Sequence, residues 1–124
     1  MQDYRSLTVW KRAHALALGV YQGTSKFKRP ETWSMGDQLR RAATSIPTNV
    51  VEGRAKGTDP EFRRYLRIAL GSASELEYLL LLARDLGFVA ESTHLELSQE
   101  TTELKRMLFA FTKRLDPKRS VPKT

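Results

Sequence analysis

The sequence predicts an all-α protein, an antiparallel up-down-up-down four-helix bundle whose second helix is kinked at Pro47. Three observations predict it. Apolar residues recur at three- and four-residue spacing in four segments, the joints between them are short and carry Gly or Pro, and no segment alternates with the two-residue period of a strand. A chain of 124 residues suits one domain with one core. Residues 1–116 are expected to form the bundle and residues 117–124 a disordered basic tail.

Helix one starts near Ser6 or Thr8 and shows its apolar face at Val9, Trp10, Ala13, Leu16, Ala17, Val20 and Tyr21; Gly23 and the segment Lys26 to Pro30 end it. Helix two runs through Leu39, Ala42, Ala43, Ile46 and Val50. Pro47 inside it removes a hydrogen bond to the Ala43 carbonyl, which predicts a kink with Ile46 displaced towards an extended conformation. Gly53, Lys56 and Gly57 then read as a basic turn. Helix three begins at Thr58-Asp59-Pro60-Glu61, a capping-box spacing with a proline in the first turn. Its core stripe is Phe62, Leu66, Ala69, Ala73, Leu76, Leu80 and Ala83, and Gly87 closes it. Helix four begins near Glu91 or Ser92, presents Leu97, Leu104, Leu108, Phe111 and Leu115, and stops at Pro117.

Helix three carries more apolar surface than a lone bundle uses. Beside the core stripe, Leu79, Leu82 and Leu86 form a second one, with Tyr78 and Leu81 filling the gaps. A helix apolar all round is buried all round, yet every helix of a four-helix bundle keeps an outer face. Tyr78, Leu79, Leu82 and Leu86, with Glu75 as a hydrogen-bonding partner, are therefore the candidate contacts of a homo-oligomer. The alternative is a wide core stripe with a few exposed leucines. Gly71, Ser72, Ala73 and Ser74 put small side chains mid-helix, where a glycine costs up to about 1 kcal/mol against alanine, so a close helix approach is expected there.

Composition excludes several classes of chemistry. There is no cysteine, which removes disulfides, thiol nucleophiles and zinc knuckles. The longest apolar run, Tyr78 to Ala83, is far short of a membrane span. The stretch Ala13 to Tyr21 fails as a signal peptide because Asp3 precedes it, His14 interrupts it and no small-x-small site follows, so a cytoplasmic protein with no membrane partner is expected. Glu91-Ser92-Thr93-His94 has the Glu-x-x-His spacing of di-iron bundles, but that chemistry needs two such pairs and two further glutamates. His14 adjoins Ala13 and reads as a packed or interfacial histidine. Glu75 and Glu77 point to different faces and make no acid–base pair. Gly53-Arg54-Ala55-Lys56-Gly57 resembles a phosphate cradle only loosely, and the Gly-x-x-x-x-Gly-Lys loop is absent. No catalytic residue, metal or cofactor is assigned.

Charge is the remaining functional signal. The net charge is +7, and it is segregated: residues 1–67 carry 13 Lys/Arg against 6 Asp/Glu, residues 68–104 one against 7, and residues 105–124 carry 7 against one. In the expected topology one end gathers the start of helix one, the turn between helices two and three, and the end of helix four. It forms a basic pole of Lys11, Arg12, Arg54, Lys56, Arg63, Arg64, Arg67, Lys105, Arg106, Lys113 and Arg114. Such a pole can track phosphates, since each one neutralised releases counterions; the bland reading is a set of solvated helix faces. Arg63, Arg64 and Arg67 favour the first reading, because cations in the opening turns of a helix oppose its dipole. Trp10, Trp33, Phe62 and Tyr65 are placed mostly in the core, which argues against platforms for single strands.

One string of residues is more specific. Val9-Trp10-Lys11-Arg12-Ala13, Gln38-Leu39-Arg40-Arg41-Ala42, Ser45-Ile46-Pro47-Thr48-Asn49-Val50-Val51-Glu52-Gly53, Phe62 with Leu66, and Ala69-Leu70-Gly71-Ser72 followed by Glu75-Leu76-Glu77 occur in order. Over roughly residues 7–115 the chain resembles the bacterial four-helix-bundle family of 23S ribosomal RNA intervening-sequence proteins, which the accessory variability determinants of diversity-generating retroelements also resemble. Val50-Val51 stands where Ile-Ala is usual. The resemblance implies a cytosolic bundle assembling into a homopentameric ring and, for the retroelement branch, binding of nucleic acid and of a reverse transcriptase; it implies no catalysis. Physically, Asn49 and Glu52 follow the proline, where freed backbone groups need side-chain partners. Arg41 can pair with one of them or with a neighbouring subunit's Glu75. The expected function is a non-enzymatic, homo-oligomeric scaffold whose basic pole holds structured RNA or DNA or a nucleic-acid enzyme. The alternatives are a ring that binds only proteins and a metal-dependent bundle enzyme.

Overall fold

A computed structural model describes residues 3–118. A short 3-10 turn, Tyr4–Ser6, precedes four helices: α1 (Thr8–Gly23), α2 (Pro30–Ala55), α3 (Asp59–Asp85) and α4 (Glu91–Arg114). Each helix packs on its neighbours in sequence and α1 closes the square against α4, with no packing across either diagonal, as an up-down-up-down bundle requires. The tail expected from residue 117 onward lies, after Lys118, outside the described residues.

The core follows the three- and four-residue spacing. Leu39 and Ile46 of α2, Leu66, Leu76 and Leu80 of α3, and Leu104 and Leu108 of α4 are the largest of its fully buried side chains. Burial of each contributes roughly 1.5–3 kcal/mol. The two buried threonines of α4 are satisfied locally: Thr101 Oγ1 donates to the Leu97 carbonyl and Thr112 Oγ1 to the Phe109 carbonyl, each at 2.7 Å.

Helix ends match the expected punctuation with two exceptions. Thr58 caps α3, accepting from the Glu61 N–H, and α3 closes on Gly87 at φ 78°. There the Phe88 N–H reaches the Ala83 carbonyl and the Gly87 N–H the Arg84 carbonyl, both at 2.9 Å, a Schellman closure. The first exception is Pro30. It reads as the breaker after helix one, but it occupies the first position of α2, where its missing N–H costs nothing, so α2 starts well before Leu39. The second is Gly53, which is no turn residue: α2 continues to Ala55, and Gly57 at φ 84° makes the turn. Gly53 is buried against α3, where a Cβ would lie 2.6 Å from the Tyr65 Cβ and 3.1 Å from Phe62 Cδ1.

Helix α2 is continuous through Pro47, and Ile46 stays helical and fully buried instead of turning extended. Side chains attend carbonyls in the turn before the proline. Thr48 Oγ1 donates to the Thr44 carbonyl at 2.7 Å, and Asn49 Nδ2 donates to the Ser45 carbonyl at 2.7 Å. Asn49 Nδ2 also reaches Ser45 Oγ at 3.1 Å, and that hydroxyl lies 2.8 Å from Ser72 Oγ on α3. The proline thus sits inside a polar relay that ties α2 to α3.

Candidate functional site

The antiparallel topology brings the basic segments to one end. Lys11 and Arg12 open α1, Arg54 and Lys56 close α2, Arg63, Arg64 and Arg67 lie in the first turns of α3, and Lys113 and Arg114 end α4. Aromatic rings underlie several of these cations. Arg54 lies 5.4 Å from the Phe62 ring centroid, Arg64 4.6 Å from Tyr65, Lys113 5.2 Å from Phe109 and Arg114 4.7 Å from Phe111. Such contacts orient a cation without neutralising it.

Ten of the eleven expected cations separate into two groups. Arg12 pairs with Glu100, Arg63 with Asp116, Arg64 with Glu61, Lys105 with Glu77 and Arg106 with Glu103. Lys105 and Arg106 lie up the shaft of α4, Lys105 facing the middle of α3, so they extend away from the pole. Lys11, Lys56, Arg67, Lys113 and Arg114 form no ion pair among the described residues.

Arg63 corrects the argument from the helix dipole. Its Nε donates to the Thr112 carbonyl at 3.0 Å and its guanidinium lies 3.6 Å from Asp116. It opposes the dipole of α3 but complements the carboxyl end of α4, which the antiparallel packing sets beside it. Helix stability therefore accounts for it. Arg63, Glu77 and Arg84 share one heptad register of α3, fourteen and then seven residues apart, and meet Thr112, Lys105 and Glu91 of α4 in turn. That heptad ladder was legible in the spacing but not in composition.

The second apolar stripe of α3 is divided by the fold. Leu79 is 5% exposed and belongs to the bundle's own core, and Leu82 is half-buried against it. Tyr78 and Leu86 remain outside at 59% and 53%, with Leu81 and Ile68 also exposed. Leu79 lies seven residues after Ser72, whose hydroxyl meets Ser45 of α2, so it falls on the side of α3 nearest α2 and a stripe adjacent to the core became part of it. Glu75 is exposed and lines a shallow cleft with Gln38, Arg41, Ala42 and Ser45. Arg41 and Glu75 share that cleft without forming an ion pair, and Glu52 is exposed and unbonded among the described residues.

Two further expectations change. Gly71 makes no close approach within the chain: a Cβ there would meet nothing within 4 Å. Trp33 is exposed, Trp10 and Tyr65 are half-buried, and only Phe62 of the four named aromatics is fully in the core. Trp10 stacks on His14 with ring centroids 4.9 Å apart. His94 is buried while Glu91 faces Arg84 at 3.7 Å, so their Glu-x-x-His spacing builds no shared site. Among the described residues no group of three or more His, Cys, Asp or Glu could hold a metal ion, and no helix is long and apolar enough to cross a membrane.

Comparison with known proteins agrees with this architecture. None of the curated proteins matches the chain. Among solved structures, a protein of unknown function from the S23 ribosomal protein family of Bacteroides thetaiotaomicron superposes with a TM-score of 0.77 at 24% identity, covering 86% of this chain and 99% of its own. That likeness shows the shared fold. The model of the 23S rRNA-intervening sequence protein family matches residues 5–110. With four helices in the expected order and the match spanning most of them, the chain belongs to the 23S rRNA-intervening sequence protein family.

Proposed function

We propose that the chain is a non-enzymatic scaffold that holds a polyanion, structured RNA or DNA, on its basic pole. The observation that carries this reading is the gathering of Lys11, Lys56, Arg67, Lys113 and Arg114 at one end of the bundle with no carboxylate partner among the described residues. Paired cations gain little on binding a phosphate, because they must first release a carboxylate; unpaired ones release only counterions. Measured by fluorescence anisotropy, Arg67→Ala and Lys113→Ala should each weaken binding uniformly across sequences. Each should also lower the slope of log affinity against log salt by about one. Equal slopes for wild type and both variants would remove these residues from the interface.

A second reading concerns assembly. Tyr78 and Leu86, with Leu81 and Ile68, leave apolar surface on the outer side of α3. This supports self-association, as a homopentamer by analogy with the resemblance noted above. Leu79 is unsuitable as a probe because it is core. Tyr78→Glu with Leu86→Glu should give smaller, still helical particles in light scattering, and an unchanged mass would count against a ring built on this face. Arg41 and Glu75, near each other but unpaired, are then available to a neighbouring copy.

A further inference from the structure

The groove between α3 and α4 at the basic end has features that a plain phosphate-binding surface does not need. Arg67, Leu70, Gly71 and Ser74 of α3 face Phe109 and Thr112 of α4 across a cleft of about 290 Å³. Phe109 is 53% exposed at a position where any polar residue would be better hydrated. Lys113 Nζ stands 5.2 Å from its centroid and Arg67 lines the opposite wall, neither with an ion pair among the described residues. Gly71 also lines the cleft, a helical glycine whose missing side chain is not compensated by packing inside the chain. The size is just below the range of pockets for whole drug-sized ligands, and suits one flat ring system.

We propose that this groove receives one unpaired base of a single-stranded nucleic acid, stacked on Phe109 above Gly71, with its flanking phosphates held between Arg67 and Lys113. The inference rests on the polyanion reading and adds to it a preference for single strands. Charge complementarity identifies the occupant: two unneutralised cations flank an exposed aromatic ring, the combination by which single-stranded nucleic acid is held without reading its sequence. It also reverses the expectation that no stacking platform is present, because the exposed ring is Phe109 and not one of the four aromatics considered from sequence.

The test uses the full chain and three labelled probes, a 12-nucleotide oligoadenylate as RNA, the same as DNA, and a duplex of that length. Phe109→Ala should weaken binding of both single strands roughly tenfold or more. It should leave the duplex affinity and all salt slopes unchanged. Phe109→Trp should retain single-strand binding, with added indole fluorescence, measured as the difference from the Trp10 and Trp33 background of the wild type, quenched on addition of the oligonucleotide, a signal that a change in stability alone would not produce. Gly71→Val should mimic Phe109→Ala by filling the cleft. The proposal is overturned if Phe109→Ala affects duplex and single strands alike or affects neither, while wild-type binding to the duplex persists and keeps the polyanion reading. It is likewise overturned if Phe109→Ala changes the particle mass, which would make the groove a contact between copies. Failure of wild type to bind any probe at low salt would remove the polyanion reading itself.

Discussion

Gly53 and Gly71 both interrupt long helices, and their surroundings are opposite. At Gly53 the α2 backbone lies so close to α3 that a Cβ would fall 2.6 Å from Tyr65 Cβ; over Gly71 there is open space. Each glycine gives up as much as about 1 kcal/mol of helix propensity against alanine. At Gly53 the close packing of two helices offsets that cost within the protomer. At Gly71 nothing inside the protomer does, and the side of α3 that it marks also carries Arg67 and Tyr78. The contrast separates a face of α3 shaped by folding from one with room for a ligand or partner.

Substitutions can break or sharpen that contrast. The largest effect is expected at the closed seam: Gly53→Val should destabilise the protein by about 1–3 kcal/mol in chemical denaturation despite removing a helical glycine, because Tyr65 and Phe62 must move. Arg63→Ala should follow at about 1–2 kcal/mol, since it strips a charged hydrogen bond from the Thr112 carbonyl at the end of α4. Its effect on the salt slope of binding should be small, unlike that of Arg67→Ala. At the open groove the sign reverses: Gly71→Ala should stabilise the isolated protomer by up to about 1 kcal/mol. Destabilisation there would mean that the groove is filled.

The smallest effect is electrostatic. A hydrogen bond from Arg106 holds the Glu103 carboxyl below the ordinary glutamate value, and the Arg5 backbone N–H does the same for Asp3. Because the folded values are lowered, the stabilisation is present above the unfolded range and disappears as the pH falls through the folded values. Thermal unfolding of wild type and Arg106→Ala should therefore differ slightly near neutrality and converge below the ordinary glutamate range. Both groups are solvent-exposed, so the difference should also shrink with added salt.

Periodicity made the four helices and most of their core legible, because the spacing of Phe62, Leu66, Ala69, Ala73 and Leu76 admits one buried face. It could not say which neighbour a residue on the shoulder of that face meets. Leu79 therefore appeared to belong to an outer stripe, although it packs inside. Arg63 shows the same limit for charge. Its place in α3 is readable from sequence, but the end of α4 beside it is a consequence of tertiary packing. Pro30 and Gly53 were misplaced for a local reason: each has two positional meanings, start or stop for proline and turn or close contact for glycine. At the candidate groove, Lys113 stands four residues after Phe109 on the same helix and its contact was readable from spacing; the approach of Arg67 and Gly71 to Phe109 required the α3–α4 register.

The most direct test of the polyanion scaffold is fluorescence anisotropy of a labelled RNA hairpin and a labelled DNA duplex against the wild-type chain, titrated from low to physiological salt. Submicromolar affinity that falls steeply with salt would place phosphates on the unpaired cations, as the account predicts. No binding at low salt would contradict it and leave the positive charge as a solvating surface.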